Sequence, residues 1–149
     1  MNNSYSSHNC DYYQESLNGL KQLLKIANAN NESQTIDSAT RGKVAELVVH
    51  TASAIGFLVS SPNFTPDKAG KLVALIAGIN ANMIDSVSST LVAKILLPAY
   101  VAIQRYIITA LGPAGARKWA NKWIANEFYH WQFNQLVIEY IETTSGVVA

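Results

Sequence analysis

Cysteine is nearly absent from this chain of 149 residues, where Cys10 stands alone. That excludes an internal disulfide framework and a zinc site built from cysteines. Charge is scarce as well. Asp, Glu, Lys and Arg make up 14% of the residues, against roughly 25% in ordinary soluble domains. Eleven basic and ten acidic residues leave a net charge of +1, so the total demands no strongly charged partner. The polar stretch Met1–Cys10 lacks the basic and apolar regions of a secretory signal, and none is expected. The sequons at Asn2, Asn31 and Asn63 are what a chain rich in Asn and Ser yields by chance.

Catalytic patterns are missing too. There is no G-x-S-x-G, no P-loop, no H-E-x-x-H and no G-x-G-x-x-G. His8 and Cys10 lie close together in the N-terminal arm, while His50 and His130 fall on separate helical segments. A metal site needs converging ligands, and this spacing converges none. His50 reads as a core or interface histidine and His130 as a member of an aromatic cluster. Glu139 and Glu142 share a helix face, but an exposed helix end explains them more simply than acid–base work does. The expectation is a protein without enzymatic activity, cofactor or metal.

What is present is apolar and helical. Apolar residues form 49% of the chain, enough for one good core in one domain. Tyr13, Leu17, Leu20, Leu24 and Ala27 recur at helical spacing, and Asn28–Ser33 ends that pattern. Asp37 and Ser38 start a second helix with Val44, Leu47, Val48, Ile55, Leu58 and Val59 on its apolar face. Thr65-Pro66-Asp67 is a strong helix start. The series Leu72, Ile76, Ile79, Met83, Val87, Leu91 and Ile95 predicts about six turns of one rod. Pro98 should kink or divide it. Gly112-Pro113 should break the next helix, and a last helix is expected from about Ala114 to Thr143. The predicted fold is all-α, a four- to five-helix bundle: residues 1–10 a polar, extended N-terminal arm, 11–143 a single helical domain, and 144–149 a tail.

Two stripes of small residues stand out: Ala52, Gly56 and Ser60 on the second helix, and Gly70, Ala74 and Gly78 on the third. Small side chains let backbones approach closely, which predicts a close-packed antiparallel hairpin or a contact between subunits. Trp119 and Trp131 are further interface candidates, since Trp is enriched at interfaces. Between Leu47 and Pro66 no charged residue occurs. The window is long enough for one membrane span, but the polar residues within it argue against that. The two small-residue stripes leave a membrane-associated hairpin as an alternative.

Charge distribution says more than its sum. From Ser86 through Asn126 there is no acid, yet the window holds Lys94, Arg105, Arg117, Lys118 and Lys122. At helical spacing Arg117, Lys118, Asn121, Lys122 and Asn126 fall on one arc, opposite Trp119, Ala120, Trp123, Ile124 and Trp131. Phe128 and Glu127 break that division. A basic arc at a helix start is a seat for phosphate, so these five basic residues are the candidate phosphate-binding set.

The polar arm, the cysteine-poor bundle rich in Ala and Tyr, and the turn Leu111-Gly112-Pro113-Ala114-Gly115 resemble the coat proteins of filamentous archaeal DNA viruses. That resemblance implies a structural protein of the virion that wraps DNA and assembles with itself or a related coat subunit. The alternatives are a soluble helical adaptor, such as a secretion or immunity protein of the cytoplasm, and the membrane hairpin.

Overall fold

The computed structural model describes residues 11–29, 37–83 and 86–145. The N-terminal arm, with His8 and Cys10, lies outside them. Among the described residues all regular structure is helical, in the order α1 (Tyr12–Ala29), α2 (Ser38–Val59), α3 (Pro66–Asn82), α4 (Ser86–Leu91), a π-helical turn (Val92–Leu96), α5 (Leu97–Trp123) and α6 (Glu127–Ser145). The protein is an all-α bundle.

The starts follow local chemistry. Asp37 accepts a hydrogen bond from the Thr40 backbone N–H at 2.7 Å, and Thr65 accepts one from Lys68 at 3.3 Å. Each satisfies a donor that the first turn leaves orphaned. The Thr40 bonds also hold the Asp37 carboxyl below the usual carboxylate range. The cap is therefore in force at neutral pH and fades as acid protonates that carboxyl.

Four helices form the bundle. α1 packs against α2 and α3, and α5 packs against the same two from the other side. The ring thus runs α1, α2, α5, α3, and the consecutive helices α2 and α3 are diagonal. α6 packs on α5 alone among the substantial helix pairs, and α4 with its π turn packs on α2. Leu20, Leu23, Val44, Val48, Ile55, Leu72, Ile76, Ile79, Leu96, Ile103 and Ile107 are wholly buried in the centre.

Diagonal placement corrects the expected hairpin contact. The two small-residue stripes do not meet. Gly56 and Ser60 are exposed, Ala52 is half-buried, and a Cβ on Gly56 would touch nothing. Ala74 is exposed as well. Gly70 lies under the Trp123 indole, where a Cβ would collide with the ring, and Gly78 faces Leu24 of α1. Another glycine, Gly19 of α1, lies where a Cβ would collide with the Thr51 side chain of α2.

Three expected boundaries also move. The long third rod stops at Asn82, whose side-chain amide donates to the Gly78 carbonyl at 2.9 Å and competes with helical bonding. Met83 is already extended. At Pro98 the winding changes: a π turn, Val92–Leu96, ends there and α5 begins at Leu97 with the proline in its first turn. The Leu97 N–H bonds to the Val92 carbonyl, so the wider π turn just ahead absorbs the proline ring. The expected last helix is two helices, separated by Ile124–Asn126.

Gly112 does what its neighbour Pro113 suggested. Its φ of 75° and ψ of 168° interrupt α5, a conformation open essentially to glycine. The chain folds back there. Tyr106 donates to the Phe64 carbonyl at 2.9 Å, and Trp119 donates to the Pro66 carbonyl at 2.8 Å. Residues on both sides of Gly112 therefore reach the same end of α3.

One core residue is out of character. Gln104 is wholly buried, and neither its amide nitrogen nor its oxygen has a hydrogen-bond partner in the protein. One turn away, the buried Tyr100 hydroxyl is also unpartnered, and burial, then the neighbouring Tyr129, raises its pKa. An unsatisfied buried amide costs about 1–3 kcal/mol. Gln104→Met, similar in shape and free of that cost, is expected to raise the urea midpoint by an amount worth about 1 kcal/mol or more. A midpoint below the parent's would show that the amide is satisfied.

Candidate nucleic-acid interface

The second half of α5 is two-sided. Ala116, Trp119, Ala120 and Ile124 are buried, while Arg117, Lys118, Asn121 and Lys122 are exposed. Three anchors hold the buried side: the Trp119–Pro66 hydrogen bond, Trp119 packed 5.7 Å from Phe133, and Trp123 over Gly70. Packing thus turns the basic arc to solvent. Lys122 reaches back over the Trp123 ring at 5.1 Å, which steadies its stem beside the arc.

The five basic candidates do not form one cluster of equals. Arg117, Lys118 and Lys122 share the exposed face of one short helix segment. Arg105 lies on the first half of α5 and donates to Glu139 of α6 at 3.3 Å. An exposed pair of this kind is worth little to stability, but it neutralises the cation that was to meet phosphate. Lys94 is exposed on the π turn, beside Val87, Thr90 and Leu91. The structure therefore keeps three of the five as a group.

The break at Ile124–Asn126 explains why Phe128 and Glu127 fell on the wrong arcs. Asn126 caps α6, its side-chain oxygen accepting from the N–H groups of Phe128 at 2.8 Å and Tyr129 at 3.3 Å. Helical phase restarts there. An Asn followed by Glu is a helix-start signature, and it was legible in the sequence. After the restart Tyr129 and Phe133 point inward, and Phe128 and Trp131 point outward. Trp119 is thus an internal residue rather than a subunit contact, whereas Trp131 is 59% exposed and stacks on Phe128.

The other candidates resolve simply. His50 is exposed, with Nε2 3.2 Å from a Glu15 carboxylate oxygen on α1, and is not a core histidine. His130 is half-buried. Among the described residues no three His, Cys, Asp or Glu side chains gather at a metal-binding distance. Ser38–Val59 and Val87–Trp123 are long and apolar enough to cross a membrane, but about a third and under half of their apolar windows are buried. The second of these folds back at Gly112 and is not a straight span.

No match emerges from comparison with protein-family models, with characterised proteins or with solved structures.

Proposed function

We propose that this protein is a non-enzymatic structural subunit that assembles on nucleic acid through phosphate contacts, a virion coat protein of the kind its sequence resembles. The observation that carries the reading is the exposed row Arg117, Lys118 and Lys122, with Asn121 between them and no acid on that face. The row follows Gly112-Pro113 by one turn, where a new helical segment begins and its dipole favours an anion. Backbone contacts of this sort position a protein without reading bases. DNA is the expected partner, and binding should be indifferent to sequence. Outward Phe128 and Trp131 supply the contact with a neighbouring subunit.

Sedimentation and negative-stain imaging at micromolar concentration, with and without duplex DNA, test this. Species much larger than 16.2 kDa, lengthened into filaments by duplex, are expected. A monomer in both conditions contradicts the proposal and favours an adaptor with one protein partner.

A further inference from the structure

Among the described residues, the outer face of α6 has no partner. In its nineteen residues only Phe133 and Val137 are fully buried. Phe128, Trp131 and Ile138 are exposed on the opposite side, and Ile141, one turn beyond Val137, is exposed as well. Phe128 and Trp131 stack at 6.2 Å with an interplanar angle of 29°, so they form one raised aromatic block. The only full charges on α6 are negative: Glu127, Glu139 and Glu142. Glu139 is engaged by Arg105. Glu127 lies one turn from Trp131 and beside Phe128, exposed.

A groove of complementary character lies elsewhere on the molecule. It runs between the end of α1 and the start of α2, holds about 510 Å³, and is lined by Gln22, Lys25, Ile26, Ala29, Thr40 and Lys43. Its apolar part is Ile26 and Ala29. Its charges are two exposed lysines, and among the described residues no acid lines it. α1 and α2 occupy two corners of the bundle, whereas α6 is strapped outside α5. A chain cannot put its own α6 into its own groove.

We propose that the Phe128–Trp131 block of one copy fills the α1–α2 groove of a second copy, with Glu127 facing Lys25 and Lys43. This deepens the self-assembly half of the function proposed above and rests on it. Charge decides between the ways two copies could use α6. Pairing α6 with its own symmetry mate, in either direction, brings acids together with no cation on either helix. The groove offers apolar floor and opposite charge at once. Because block and groove are different surfaces, the contact is head-to-tail, and such contacts propagate into rings or open filaments rather than stopping at a pair. Neither block nor groove includes Arg117, Lys118 or Lys122.

The test uses two full-length variants by sedimentation, each checked for parental helicity and urea midpoint. Trp131→Glu disables the block, and Lys25→Glu with Lys43→Glu disables the groove; all three positions are exposed. Each variant alone should need at least tenfold more protein than the parent to associate. Mixed in equal amounts, they should form a two-chain complex and no more, since one intact block then meets one intact groove. Glu127→Lys, which keeps both aromatics, should associate poorly alone and recover when it also carries Lys25→Glu and Lys43→Glu. The Trp131→Glu chain should still bind duplex with the parent's salt dependence. If the groove variant associates like the parent, or the mixture stays monomeric, the surfaces are wrong while self-assembly stands. If the parent itself is monomeric with and without duplex, both the surfaces and the assembly reading fall.

Discussion

Phe133→Ala is expected to lower the unfolding free energy by about 3–5 kcal/mol, the usual range for deleting a buried aromatic ring. Phe133 is wholly buried and packs 5.7 Å from Trp119, itself bonded to the Pro66 carbonyl. It therefore ties α6 to α5 and, through Trp119, to the start of α3. With Val137 the only other fully buried residue on α6, loss of the ring removes half of that helix's interior anchorage. Part of the expected effect is local: α6 should undock before the bundle melts. Urea denaturation gives the total, and amide exchange should show α6 losing protection first. Trp131→Ala, at a site 59% exposed on the outer side of α6, should stay within about 0.5 kcal/mol of the parent. Equal costs for the two changes would mean that α6 is docked by a different face.

Changing Arg117, Lys118 and Lys122 together to Ala is expected to weaken duplex binding on the order of 10³-fold at 50 mM salt, if each neutralises one phosphate. The loss should be uniform across DNA sequences, because phosphate contacts carry no base information. Stability should be nearly unchanged, since all three side chains are exposed opposite Ala116, Trp119 and Ala120. Arg105→Ala should cost much less, because Glu139 already occupies that guanidinium. Fluorescence titration of two unrelated duplexes by each variant checks both the size and the uniformity of the effect. A triple variant that binds as tightly as the parent would show that the basic row does not hold the duplex.

Fold class was legible because the signals were local and repeated. Leu72, Ile76 and Ile79 at helical spacing, the Thr65-Pro66 start and the Gly112-Pro113 break each act within one turn of chain. All appear in the structure as read. What was not legible was which helices touch. The stripe at Gly70, Ala74 and Gly78 looked like a surface for α2, yet ring order put α1 and Trp123 there instead. A glycine records that something approaches closely, not what approaches. The basic arc was half legible: the phase of Arg117, Lys118 and Lys122 was readable, but the Arg105–Glu139 pair spans 34 positions and leaves no local mark. The missed Asn126 cap is a different kind of error, since the short break it marks shifted every aromatic after it. Pro98 marked the place where the winding changes, but not that a π turn would precede it, since such a turn has no sequence signature of its own.

Salt dependence of duplex binding by the parent chain counts the phosphates that the basic row neutralises. Each phosphate contact releases counterions and contributes roughly −0.9 to the slope of log affinity against log salt on B-form duplex. Three contacts from Arg117, Lys118 and Lys122 predict a slope of about −2.7 or steeper, a fall of roughly 40-fold between 50 and 200 mM. The triple Ala variant should be flatter by about that same 2.7. Parallel slopes for parent and variant, or no binding by the parent at 50 mM, would contradict a protein that assembles on nucleic acid through this face.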